Sequence, residues 1–243
     1  MILPRAVDAR GGIYFNPRSF SSDSTTVMRT TLDDDAMTAL GNVKPQGMRR
    51  IEDGRSIQVV PLNMTPEDDW AVGLDGTVVF VRSDGYYLEI LRPDGSTVRG
   101  STQDIDLLRP SDEDKLAYLE ERAAGGIMMG ITVDNGERRV SMSRGGGGGR
   151  GEPDIDELEW PRRMPAFRAG ETSIAPDGRI FVGRTVHAGE PSLFDVFDDR
   201  AELIGNVEFG PRSSIVGFGA NGAIYLAETD MFGLQWLKKV TVG

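Results

Sequence analysis

The 243-residue sequence contains no cysteine and a single histidine. Without cysteine there are no disulfide frameworks, thiolate metal sites or cysteine nucleophiles. That absence does not fix a compartment. With one histidine, multi-histidine metal sites are excluded, and any imidazole chemistry falls to His187. No apolar run approaches the ~20 residues that a membrane-spanning helix requires. The opening residues, MILPRAVDARG, lack the apolar stretch of a signal peptide. Either the chain is not exported, or the natural chain starts upstream, which leaves a periplasmic or extracellular location open. Basic residues are in deficit, 27 against 38 acidic ones, for a net charge of −11. That balance argues against a general nucleic-acid or anionic-membrane surface, since both need a basic face. Long helical periodicity is nearly absent.

Glycine, in contrast, is abundant: 31 residues, with 13 prolines. Hydrophobic residues make up 39%, too many for a disordered chain. Short alternating apolar stretches recur between turn signals, which is an all-β pattern. Four units repeat, each a short strand, a tight turn and an apolar strand. Their turns are read at Asp8 and Gly12, Asp75 and Gly76, Asp177 and Gly178, and Asn221 and Gly222. Asp-Gly and Asn-Gly pairs favour the left-handed conformation that hairpin turns need. A third apolar stretch follows in each unit: Val27 to Leu32, Tyr87 to Leu91, Leu193 to Phe197 and Leu234 to Val240. Three units continue into a fourth strand: Met37 to Val43, Thr97 to Ser101 and Leu203 to Phe209. Four antiparallel strands per unit make a propeller blade.

The expected fold is therefore all-β and β-propeller-like, a single domain over residues 1–243 with about four four-stranded antiparallel blades. The blades fall near 6–62, 68–102, 168–210 and 213–243. Arg55 to Leu62 reads as an extra strand within the first span. Residues 103–167 form an insertion. It starts a helix over 111–124 with Ser111 as N-cap and acidic residues in the first turn. A hairpin around Asp134-Asn135-Gly136 comes next, then a flexible glycine-rich loop over 143–153. Arg144 to Arg150 superficially resembles an RNA-binding segment, but one unit without aromatics in an acidic chain reads as a linker.

The blade sequences DDWAVGLDGTVVFVRSDGYYLEILRPDGSTVRG, LFDVFDDRAELIGNV and IVGFGANGAIYLAETDMFGLQWLKKV, with the helix DEDKLAYLEERA, carry a resemblance. They resemble bacterial six-bladed β-propeller proteins of unknown function, within the NHL, TolB-like and gluconolactonase-like propeller group. The resemblance covers the chain from about residue 68, and more loosely 6–60. It implies a fold and no particular activity. Relative to that group the chain is about two blades short, and the last unit lacks a fourth strand. Unpaired blade edges invite pairing. They are covered by an absent N-terminal portion, by self-association with a second copy, or by strands from the insertion.

Candidate ligand or metal residues are Asp84, Arg184, Glu228 and Asp230, each following the second strand of a blade, and His187. Carboxylates brought together from several blades can hold Ca²⁺ or another divalent cation. A gluconolactonase-like hydrolase uses such a metal to activate water, but that group's ligand pattern is not matched here. His187 requires a carboxylate to orient it, with Asp195 or Glu190 in reach by sequence. Asp8, Asp75, Asp177 and Asn221 recur in every unit, so they read as turn residues rather than ligands. The acidic run Glu67-Asp68-Asp69 reads as a solvated loop, with Trp70 anchoring the blade; Trp160 and Trp236 read as packing residues. No catalytic set is assembled and no cofactor is implied. The function expected is a non-catalytic binding or interaction module for a protein or small-molecule ligand. The alternative is a metal-dependent hydrolase or lactonase of the six-bladed type.

Overall fold

The computed structural model describes residues 4–17, 23–33, 36–53, 56–125, 127–134, 137–144, 155–230 and 233–241. Its strands form a β-propeller-like array of antiparallel sheets with one α-helix. The first blade holds β1 (Ala6–Val7), β2 (Gly12–Phe15), β3 (Thr25–Thr31) and β4 (Thr38–Val43), in that order. Further along come β5 (Met48–Asp53) and β6 (Ser56–Pro61). The second blade is β7 (Asp69–Val72), β8 (Val78–Arg82), β9 (Tyr87–Leu91) and β10 (Thr97–Arg99). The insertion gives α1 (Asp112–Gly125), β11 (Ile127–Asp134) and β12 (Glu137–Arg144). The third blade is β13 (Phe167–Ile174), β14 (Ile180–Arg184), β15 (Pro191–Phe197) and β16 (Leu203–Pro211). The fourth has three strands: β17 (Ser213–Phe218), β18 (Ala223–Thr229) and β19 (Gln235–Thr241). First strands of successive blades lie beside one another, β1 with β7, β7 with β13 and β13 with β17.

Three cores join the blades in series, and strand alternation explains how. In β8, Val78 and Phe80 turn toward the first blade and meet Tyr14, Val27, Val43 and Trp70. Val79 and Val81 turn the other way and meet Phe167, Ile180, Val182 and Phe197 of the third blade. The third blade repeats this: Ile180 and Val182 face the second blade, while Phe181 joins Phe194, Ile224 and Leu226 in the next core. Strands buried on both faces read as continuous apolar runs, which is why VVFV and IFV lack alternation in the sequence. Each fully buried large side chain in these cores contributes about 1.5–3 kcal/mol through area removed from water.

One tight turn opens every blade. In the second, the Gly73 N–H reaches the Thr77 carbonyl (2.8 Å) and the Gly76 N–H reaches the Gly73 carbonyl (3.0 Å), with Gly76 at φ 90°. Ala175–Arg179 and Asp8–Gly12 close the same way. The left-handed glycine of the first turn is therefore Gly11 (φ 80°), one residue before the Gly12 read from the sequence. Asp8 correspondingly sits at the first turn position, two residues earlier than Asp75 and Asp177 occupy theirs. From there its Oδ1 accepts the amides of Arg10 and Gly12, both at 2.8 Å. Asp75 and Asp177, at the third position, each accept the amide two residues on, at 3.0 and 3.1 Å. Aspartate can brace this turn from either place, because both put a short carboxylate beside free amides. In the last blade Asn221 (φ 59°) and Gly222 (φ 71°) are both left-handed.

The insertion does supply strands, though not to a blade. Strands β11 and β12 extend the hairpin β5–β6 into a separate four-stranded sheet, order β5-β6-β11-β12, joined through Val133↔Ile57 and Asp134↔Ser56. The first blade accordingly ends at Val43, and the extra strand read at Arg55 to Leu62 belongs to this sheet. The glycine-rich loop expected over 143–153 lies outside the described residues from 145 onward. Helix α1 begins with a reciprocal cap: the Asp114 N–H reaches Ser111 Oγ (3.1 Å) and the Ser111 N–H reaches Asp114 Oδ2 (2.8 Å).

Candidate functional site

A cleft of about 250 Å³ opens where β7 meets β13, at the ends of β2 and β4. Arg5, Asn16, Lys44, Glu67, Asp69 and Trp70 line it, with Ala169 and Gly170 of β13 on the far side. The acidic run 67–69 is therefore not a solvated loop. Asp69 is 0% exposed and Trp70 1%. The reason lies in the partners, which arrive from distant parts of the chain.

Asp68 is fully engaged in structure. Its Oδ1 accepts the Ser83 amide and hydroxyl, both at 2.8 Å, and its Oδ2 accepts Arg82 Nη1 (3.0 Å) and the Lys44 amide (3.2 Å). Asp69 ties three blades together. Arg5 Nη2, just before β1, donates to its Oδ1, and the Thr172 amide of β13 donates to its Oδ2 at 3.1 Å. The Arg5 guanidinium also lies over the Trp70 ring, 4.7 Å from its centroid. Glu67 lacks such an arrangement. Burial, and then the neighbouring Asp69 charge, push its carboxyl up to about 7, against a partial pull from Arg5 and the Gln46 amide. Trp70 Nε1 is buried without a hydrogen-bond partner among the described residues. A group of this kind is costly unless a ligand or water meets it.

Along β13 the polar character continues. Glu171 is raised by burial, despite the Arg168 charge and the Ser214 hydroxyl at 3.1 Å. A Cβ on Gly183 would come within 2.8 Å of Glu171 Oε2, so that glycine makes room for the carboxylate. Thr172 Oγ1 and Ser213 Oγ are also buried and unmatched among the described residues.

The residues singled out from the sequence lie elsewhere and apart. Asp84 pairs with Lys44 at 3.1 Å. Glu228 pairs with Lys238. Asp230 braces a turn, accepting the Leu234 amide at 3.0 Å and Trp236 Nε1 at 3.1 Å. Trp236 is 56% exposed, not packed, because its strand has no neighbour over that face among the described residues. Trp160 does pack, edge-on against Tyr118 of α1. Arg184 reaches Asp195 Oδ2 (3.2 Å), which also receives the Tyr86 hydroxyl (2.6 Å). Asp195 is thus unavailable to His187. The histidine ring instead meets Asp114 of α1, Nδ1 to Oδ2 at 2.8 Å, and the Ala188 amide donates to Asp114 Oδ1 at 2.7 Å. Glu190 accepts the His187 backbone N–H, at 3.1 Å. The contact with Asp114 raises the imidazole pKa. Asp114 itself would be lifted by burial, but the Ser111 amide, His187 and the Ala188 amide hold it at about 2. This is a docking contact for the helix start. Asp8, also buried, accepts the Tyr14 hydroxyl (2.8 Å) beside Arg29 and stays below the usual carboxylate range. Among the described residues, no three His, Asp or Glu side chains converge as a metal set.

No protein-family model matches the chain, and the search of curated proteins returns no relative. Among solved structures, the chain is similar to Kuenenia stuttgartiensis hydrazine synthase, with TM-score 0.31 and 12% identity over 91% of this chain and 53% of that one. A prolyl endopeptidase matches with TM-score 0.27 and 13% identity over 95% of this chain, which spans 31% of the enzyme. Streptogramin B lyase matches with TM-score 0.28 and 9% identity over 98% and 81% of the two chains. The chain thus spans about half and about a third of the first two proteins. Likenesses this slight carry no argument about activity.

Proposed function

We propose that the chain is a non-catalytic β-propeller binding module, and that the cleft between β7 and β13 is its ligand site. One observation carries this reading. Within a run of three carboxylates, Asp68 and Asp69 are consumed by the fold, while Glu67 stands in the cleft wall without a counter-cation of its own. Burying an ionised carboxyl there is costly, and groups of this kind gather at functional sites. Kinship with the six-bladed group belongs to this proposal, and the chain itself carries four blades.

A carboxyl titrating near neutrality also suits a general acid or base, which keeps a hydrolytic reading as the alternative. The metal-dependent form of that reading would draw a cation such as Ca²⁺ to Asp84, Glu228 or Asp230, which lie apart; the first two each hold a lysine and Asp230 braces a turn. A fragment screen by protein-observed NMR separates the two. The binding module is expected to shift cleft resonances with no turnover of ester or lactone probes. Ala169→Trp, which fills the cleft from its exposed side, should abolish the shifts. Turnover lost in Glu67→Gln would decide for the hydrolase, and shifts that survive Ala169→Trp would place the ligand elsewhere.

A further inference from the structure

The donors and acceptors left over in the cleft are not all of one kind. On the acidic side Glu67 keeps the most capacity: it accepts the Gln46 amide, whereas both oxygens of Asp68 and of Asp69 already accept hydrogen bonds. On the donor side two groups have capacity. Arg5 spends Nη2 on Asp69 and keeps its other N–H groups. Lys44 Nζ holds one contact, to the carboxylate of Asp84, whose side chain is 85% exposed; such a surface pair is weak and exchangeable. A simple cation would leave these donors unmet. A simple anion would sit against Glu67 and Asp69.

Resting on the binding-site reading above, we infer that the cleft takes a small zwitterion. Such a molecule carries a cationic nitrogen and a carboxylate a few bonds apart, as amino acids do. Glu67 receives the nitrogen, and the Lys44 and Arg5 donors receive the carboxylate. The size agrees. About 250 Å³ is below the ~300 Å³ at which pockets for drug-sized ligands begin, and a molecule of amino-acid dimensions fills it. Charge-assisted hydrogen bonds at both ends would supply affinity and a fixed orientation.

The test titrates the whole chain with glycine, β-alanine, 4-aminobutyrate and lysine, and with ethylammonium and acetate as single-charge controls. The readout is the Trp70 indole N–H resonance, assigned through Trp160→Phe and Trp236→Phe. At least one zwitterion is expected to bind tenfold or more tightly than either control. Glu67→Gln should lose tenfold or more of that affinity. Lys44→Met, at a side chain not used by the core, should weaken it several-fold with an unchanged far-UV spectrum. Binding requires the ionised carboxylate. Glu67 faces Asp69 and Arg5, with Asp68 and Lys44 on the same cleft. Burial raises its carboxyl to about 7, so affinity should be higher at pH 8 than at pH 5.5. A control that binds as well as the best zwitterion, an unaffected Glu67→Gln variant, or no binding by any probe would overturn the inference. If no probe binds yet fragments still shift the wild type and not Ala169→Trp, the ligand class alone has failed and the binding module stands.

Discussion

Asp69 and Arg5 form a pair of unequal burial, and the inequality has a measurable consequence. The Asp69 side chain is fully buried, whereas that of Arg5 is 36% exposed. Removing Asp69 frees an arginine that can turn to water, and leaves the Thr172 amide without its carboxylate. An unmet buried amide costs about 1–3 kcal/mol, so Asp69→Ala should destabilise by about 2–3 kcal/mol. Removing Arg5 does the reverse. It strands a buried carboxylate, which costs about 3–5 kcal/mol, and it also deletes the guanidinium over Trp70. Arg5→Ala should therefore be the worse of two changes that break one contact, although Arg5 is the more exposed partner. The double variant removes the stranded charge and should fall back near Asp69→Ala alone. Urea unfolding of the four proteins at pH 7 measures this. With a slope of about 2 kcal/mol per molar, Arg5→Ala should lower the midpoint by roughly 1.5–2.5 M. If Asp69→Ala proves the costlier single change, or if the double variant shows the sum of the singles, the three-blade staple is not what holds this junction.

Glu67 is raised to about 7 in the fold from its ordinary 4.5, so the folded state binds the extra proton between those values. Its contribution is intact below 4.5 and is lost as pH rises through 7, for a penalty on the order of 3 kcal/mol at alkaline pH. Glu67→Gln should therefore match the wild type in urea melts at pH 4 and exceed it at pH 8; equal gain at both would refute the assignment. His187 is likewise raised, by Asp114 first and with Glu190 adding to it. The docking contact it makes is complete below the imidazole's ordinary pKa and weakens as pH rises through the shifted one. Hydrogen exchange of α1 amides, corrected for intrinsic rates, should show more protection at pH 6 than at pH 8, and His187→Gln should remove that difference. Gly100→Ala would set a Cβ 2.0 Å from the carbonyl oxygen of Ala201, itself left-handed at φ 62°. Backbone cannot step aside as a side chain does, so the loss should exceed the ~1–3 kcal/mol of ordinary overpacking, read as a collapse of soluble yield or of Tm.

Local features of the fold were legible because their causes are local. Asp-Gly pairs, the apolar runs of β8 and β14, and the Ser111-to-Asp114 cap each act within a few residues. The phase of the first turn was not legible, since Asp8 and Asp75 both stand near a glycine and brace the same turn from different positions. Strand pairing between β6 and β11 joins residues nearly eighty positions apart, and nothing in either sequence names the other. The same holds for His187, whose partner Asp114 lies on the inserted helix.

Burial of the acidic run, however, could have been read. Asp69 pairs with Val81 across the hairpin, Trp70 with Phe80, and Ala71 with Val79. Cross-strand partners share a face. Once β8 is recognised as buried on both sides, every residue of β7 must face one core or the other, whatever its charge. Trp70 falls on the face of Phe80, toward the first blade, and Asp69 on the face of Val81, toward the third. A carboxylate forced onto a core face needs a cation and an amide. The sequence pattern therefore calls for an arginine and a neighbouring strand at that point, and it is Arg5 and Thr172 that arrive. Glu67, beyond the end of the strand, escapes this constraint. Its position is not dictated by pairing, and the fold offers it only the Gln46 amide and a share of the Arg5 charge, too little to offset its burial, which is the physical reason to look for a cation from outside.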